Sequence, residues 1–142
     1  MTIPELHAAL NDFPLVLLLA SVVFDLFGTS GKNEGMVAAY FCVVSAAGSA
    51  ILALVSGLLA ERSIEQSPAL HQLVENHETL GIGLTLTVVG LAAWRLWRRN
   101  RFTPPEQQSY IMIAVTASLA MIWLAHLGGN MVFDHGAGVV PR

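Results

Sequence analysis

The sequence predicts an all-α integral membrane protein, a four-helix bundle with up-down-up-down connectivity and both termini on the non-cytoplasmic side. Three observations carry that prediction. Hydrophobic residues make up 54% of the 142 and charged residues only 12%, with a mean hydropathy of +0.61, which lies outside the make-up of a soluble domain. Four apolar stretches are each long enough to cross the roughly 30 Å of hydrocarbon that about 20 helical residues span. Lys and Arg then collect on one side of the bundle that those stretches define. Together the stretches form a single domain over residues 1–142.

The first span covers about residues 11–28, where Asn11 or Asp12 can cap the helix and Pro14 sits in its first turn, a place where a missing N–H costs little. The polar turn TSGKNEG joins it to the second, uncharged span over 35–60, and so short a link makes the two antiparallel neighbours. Within SAAGSAILALVSG, the pairs Ser45 and Ser49, Ala46 and Ala50, and Ala53 and Gly57 have the spacing that lets helices approach closely. The longest connection, ERSIEQSPALHQLVEN, contains Pro68, which breaks any continuous helix, and ALHQLVENH reads as the start of the third span, over 77–97. The paired prolines in RRNRFTPPEQ separate that span from the fourth, over 107–127.

Charge orients the bundle. Lys32, Arg95, Arg98, Arg99 and Arg101 fall on the side reached after the first and third spans, and only Arg62 and Arg142 on the other. Basic loops stay in the cytoplasm, so both termini face out and the chain is a multi-pass protein of the bacterial inner membrane. Trp94 and Trp97 beside those arginines read as interfacial anchors. The amino terminus, with Glu5 and Asp12 and no basic region, reads as mature protein and not as a signal peptide. Cys42 is the only cysteine and sits in an apolar run, so a disulfide within the chain or a thiolate metal site is excluded. A nucleic-acid partner is not expected, and the bilayer is the first partner.

On this topology His7, His71, His77, His126 and His135 all fall at the outer end. His77 opens the third span and His126 lies in the last turn of the fourth, so the two can sit at similar depth and hold the iron of a b-type haem. Gly81 follows His77 by four residues, and Gly128 and Gly129 follow His126 closely, leaving room for a flat ring. His7 and His135 are the alternative or second-site ligands. Electron transfer is then the function, as a subunit and not as an enzyme on its own, with a periplasmic cytochrome, a quinone or another membrane subunit as redox partner.

Two other readings stay open. His71, Glu75 and Glu78 share a helical face and, with His7, Asp12 or His135, could hold Zn²⁺, Cu²⁺ or non-haem iron. Alternatively the histidines are structural, His77 and His126 bonding to Glu78, Asn130 or loop carbonyls, and the chain is a scaffold or non-catalytic subunit that binds no cofactor. Asp25 is a charge within the first span, with Lys32 or nearby Ser and Tyr hydroxyls as partners. Nothing resembles a nucleophile with its base, a phosphate loop or a dinucleotide turn. The oligomeric state, including a homo-oligomer, is left open.

The opening LHAALNDFPLVLLLASVVFDL and the closing HLGGNMVFDHGAGV resemble the two ends of a family of bacterial predicted membrane proteins, domain of unknown function 2231. In that family His-Pro and then Val-His-Phe-Pro-Ile precede the first helix, and Gly-Gly-x-Leu-Val-Tyr-x-His-Gly-x-Gly-Val follows the fourth. His7, Phe13, Pro14, Asp25, Gly57, His77, Gly128, Gly129, His135, Gly136, Gly138 and Val139 match that pattern. Ala8 stands where the family usually has Pro, and Asp12 where it often has a second His. The resemblance implies a four-helix membrane unit, joined in some relatives to c-type cytochrome domains, and so favours a redox or haem role.

Overall fold

Thr2 opens the first helix, α1 (Ile3–Leu10): its hydroxyl accepts from the Glu5 amide, the Glu5 carboxylate accepts from the Thr2 amide, and Pro4 occupies the first turn. After the single residue Asn11 comes α2 (Asp12–Thr29). The break has a local cause, since Pro14 has no amide hydrogen to offer the Leu10 carbonyl and its ring crowds that oxygen. Three long helices follow, α3 (Asn33–Glu61), α4 (Pro68–Trp97) and α5 (Pro104–Phe133). The computed structural model describes residues 1–29, 33–63 and 67–138, with only the backbone of Thr29, Asn33 and Ala69.

Four helices are long and apolar enough to cross a membrane, over Ile3–Gly28, Glu34–Glu61, Leu70–Trp97 and Pro104–Phe133, with mean hydropathies of 1.5 to 2.2. Among the described residues the structure holds no strand. The expected spans are all present, but three differ in extent. The first is lengthened by α1, which carries His7 inside the helical array. The third begins at Pro68, because Ser67 accepts from the Leu70 amide and makes the proline a helix start, not a helix breaker. The fourth runs six residues past 127. Pro104 and Pro105 likewise begin α5, with the Glu106 carboxylate accepting from the Thr103 amide and hydroxyl. The third span ends on its own, at Arg99 and Asn100, whose left-handed φ angles of 51° and 59° reverse the chain.

Each of α2 to α5 packs on two of the others, α3 on α2 and α4, and α5 on α4 and α2, while α1 lies along α3. The buried face of α3 is its small residues Ala46, Ala50, Ala53 and Gly57, with Gly57 against α1. Ser45 of the same run is exposed. Leu18, Val43, Val88 and Ala114 fill the middle, whereas Phe41, Leu86, Met112 and Leu119 are more than 60% exposed on the outside. Lipid is the medium in which such a surface needs no cover.

At one end the core is polar. Asp25 of α2 accepts hydrogen bonds from both terminal nitrogens of Arg95 on α4, that from Nη1 at 2.8 Å, and a third from Gln107 Nε2 at 3.2 Å. Both ions are fully buried. Arg95 Nε donates to Asn100 Oδ1 at 2.8 Å, Asn100 Nδ2 donates to the Met36 carbonyl at 3.0 Å, and the guanidinium lies 4.9 Å from the Tyr110 ring centre. Two expectations are corrected here. Asp25 pairs with Arg95 and Gln107 and with no hydroxyl among the described residues, and Lys32, its other expected partner, lies outside the described residues, as does Arg142. Arg95 is a core residue and not an interfacial charge like its neighbours. Trp97 is 80% exposed, whereas Trp94 packs edge-on against Phe102 and Tyr110.

Removing one member of a buried ion pair strands the other charge, at a cost of about 3–5 kcal/mol, whereas replacing both with apolar side chains is close to neutral. Asp25→Ala is therefore expected to destabilise the fold by about that amount, and Asp25→Leu with Arg95→Met to recover most of it. Unfolding in detergent, followed by helical circular dichroism, checks both.

Candidate functional site

At the opposite end the core is not filled. A cavity of about 520 Å³ lies between α1, the start of α2, α3, α4 and α5, within the usual size of a ligand pocket. Leu15, Leu54, Leu84, Met121 and Leu124 give it an apolar floor, His7 and His77 stand in its wall, and Asp12, Glu61 and Glu78 lie around it. The Glu78 carboxyl lies close to that of Glu61.

The two rings lie 6.4 Å apart between centroids and are nearly perpendicular, at 87°. His7 Nδ1 is 3.0 Å from the Ala53 carbonyl and 3.2 Å from Ser56 Oγ. A carbonyl only accepts, so Nδ1 carries the proton and Nε2 keeps the free lone pair. His77 is held less closely. The Leu124 carbonyl is within range of its ring, yet Nδ1 is buried with no hydrogen-bond partner among the described residues.

Each ring rests on a glycine of the following long helix. A Cβ on Gly57 would stand 2.9 Å from His7 Cε1, and one on Gly128 would stand 3.2 Å from His77 Cε1. In both cases the carbonyl beside the ring belongs to the residue four positions before that glycine, Ala53 before Gly57 and Leu124 before Gly128. The same notch is thus built twice, by α1 with α3 and by α4 with α5. His7 and His77 are offset by 70 positions, the same offset as Asp25 and Arg95. The two polar pairs therefore join the same two spans, 18 residues apart on each, or about 27 Å at 1.5 Å per residue.

The partner of His77 differs from the one expected. His126 is exposed and its ring lies 5.4 Å from that of Trp123, on the outer side of α5. Helical geometry explains this, because positions two apart point about 200° away from each other, and Gly128 faces inward. His7 takes the place opposite His77. Gly81 and Gly129 both line the cavity: a Cβ on Gly81 would stand 3.9 Å from Leu124 Cδ2, and one on Gly129 would meet only Phe133 of its own helix, at 4.0 Å. His135 is exposed in the turn after α5 and touches neither imidazole.

The closing Gly-x-Gly has a structural role. The Gly136 amide donates to the Val132 carbonyl and the Ala137 amide to that of Met131, which wraps the last turn of α5. Gly138, at a φ of 74°, lets the chain close on Pro4, where a Cβ would come within 2.8 Å. His71 Nε2 lies 3.5 Å from Glu75 Oε1 on an exposed face, and Glu78 turns toward Glu61. Among the described residues, no three His, Cys, Asp or Glu side chains converge in a way that could hold a metal ion.

Paired notches at the two ends of the sequence account for the motifs that stand there. The family described as "Predicted membrane protein (DUF2231)" matches residues 3–141. The chain belongs to that family. Of the positions on which the sequence resembles that family, His7, Pro14, Gly57, His77, Gly128 and Gly129 line the cavity, Asp25 anchors the far end, and Gly136 and Gly138 close the turn over α1. Val139 lies outside the described residues. No curated protein and no solved structure matches the chain.

Gly57→Ala is expected to push the His7 ring off its notch and break its bond to the Ala53 carbonyl, because the new methyl would stand 2.9 Å from Cε1. Gly48→Ala, at a site with nothing within 4 Å, is expected to leave it unchanged. The ring-nitrogen NMR signals of His7 compare the two.

Proposed function

We propose that the cavity binds a b-type haem that His7 and His77 would hold, and that the protein transfers electrons at the outer face of the bacterial inner membrane. The observation that carries this reading is the pair of rings on separate spans, 6.4 Å apart, in an apolar cavity. Two imidazoles on opposite sides of one metal atom have centroids about 6.3 Å apart, from metal–nitrogen bonds of about 2.0–2.1 Å and a centroid-to-nitrogen distance of about 1.1 Å. The orphaned His77 Nδ1 and the two glycine notches, each of which a Cβ would fill, are further support. Haem would supply one-electron chemistry, and the chain would supply the two imidazoles, the backbone carbonyl that orients His7, and a wall that keeps water from the ring.

Among the described residues Arg98, Arg99 and Arg101 lie at the far end from the histidines, and of the Lys and Arg side chains only Arg62 lies at the near end. This division of charge favours an up-down-up-down bundle with the arginine end in the cytoplasm and both termini outside. The redox partner would then be a periplasmic cytochrome or a quinone, reached from the outer side. Two protein ligands leave no open coordination position, which suits electron transfer better than chemistry on a substrate.

Protein purified in mild detergent after expression with added haem is expected to show a sharpened Soret band and a reduced α-band on adding dithionite. His7→Ala and His77→Ala should each lose that six-coordinate spectrum, and His126→Ala should keep it. A colourless, folded wild type would overturn the reading. Loss in His126→Ala with retention in His7→Ala would return the ligand role to α5.

A further inference from the structure

The two notches are alike in backbone and unlike in one side chain. Beside His7, Ser56 precedes Gly57 and its Oγ lies 3.2 Å from Nδ1, while it also donates to the Ala53 carbonyl at 2.9 Å. That three-membered cluster holds the ring in one tautomer and one orientation. Beside His77 the residue that precedes Gly128 is Leu127, which offers no hydroxyl, and Nδ1 has no partner among the described residues. The difference lies in the residue before the glycine, and nothing in helix packing requires a hydroxyl there, since Leu is accepted at the equivalent place.

We propose that the two histidines are unequal ligands by construction. Ser56 is a positioning residue that makes His7 the anchoring ligand, and His77 is the one that exchanges. The ligand roles rest on the haem reading given above, whereas the difference between the rings does not. Fixing Nδ1–H with a strong acceptor holds the imidazole in place and raises the donor strength of Nε2, and loss of such an outer-shell partner commonly costs about 10- to 100-fold in affinity. An imidazole whose neighbouring carbonyl, that of Leu124, makes no hydrogen bond to Nδ1 turns and leaves at lower cost. The chain would thereby hold its electron-transfer centre more firmly from α1 than from α4.

Ring ¹⁵N NMR of the cofactor-free protein tests the inequality without any haem. In the wild type, His7 is expected to show the single Nδ1–H tautomer and His77 a mixture of both. Ser56→Ala should loosen the hold on the His7 Nδ1–H and shift the ring-nitrogen signals of His7, and Ser56→Thr, which keeps the hydroxyl, should not. Leu127→Ser should move His77 to the Nδ1–H form. Equal tautomer populations at the two rings of the wild type, or a His77 signal that ignores Leu127→Ser, would overturn the inequality. The haem-loaded protein tests the roles: His77→Ala should retain haem in a five-coordinate form, His7→Ala should not, and Ser56→Ala should bind it about tenfold more weakly. The reverse pattern between the two histidine variants would overturn the assignment. A wild type that takes up no haem would overturn the haem reading and the ligand roles, and the tautomer measurement would still decide whether the rings differ.

Discussion

The arrangement of this bundle depends on one ion pair. Asp25 and Arg95 are fully buried and bonded to each other through both guanidinium nitrogens, with lipid on the outside of the helices that carry them. In that medium neither charge can be left without the other, so any sliding of the first span against the third is opposed by the full cost of an unpaired ion. The same register that joins Asp25 to Arg95 sets His7 opposite His77 at the other end. A contact about 27 Å from the cavity therefore decides which side chains line it.

At the cavity itself the decisive feature is what is missing. Gly57 and Gly128 leave two hollows on α3 and α5, each beside a helix carbonyl, and the imidazoles of the diagonal spans fill them. A side chain at either position would displace a ring. The hollow is made twice, by α1 with α3 and by α4 with α5, and each holds one of the two imidazoles. The turn after α5 completes the enclosure, with Gly138 closing on Pro4 at the start of α1.

Much of this was readable in the sequence, and the parts that were not have physical causes. The four spans follow from apolar length, which a bilayer demands and nothing else in the chain obscures. The grouping of the histidines at one end follows from the order of the spans. The first two turns before Asn11 were harder to read, although Thr2 and Glu5 have the capping-box spacing and Pro4 the first-turn position, because the amphipathic run between them is too short to stand out. His126 drew attention as an imidazole deep in an apolar run, but its spacing of two from Gly128 already forbids both from facing inward. Arg95 sat among interfacial arginines and tryptophans, and only a tertiary partner distinguishes a buried guanidinium from its exposed neighbours. The shared offset of 70 is plain in the numbering, yet it acquires meaning only once two spans are known to face each other.

The most direct test of this account is a distance between the histidine-bearing ends of those two spans. Spin labels at Glu5→Cys and Glu75→Cys, in a Cys42→Ala background, report it by pulsed electron paramagnetic resonance in lipid. The account predicts one narrow distance with Asp25 and Arg95 intact, a broadened or shifted one with Asp25→Ala, and recovery of the narrow distance when D25R is combined with R95D. A narrow distance that survives Asp25→Ala unchanged would contradict it, and the histidine pair would then owe its register to apolar packing alone.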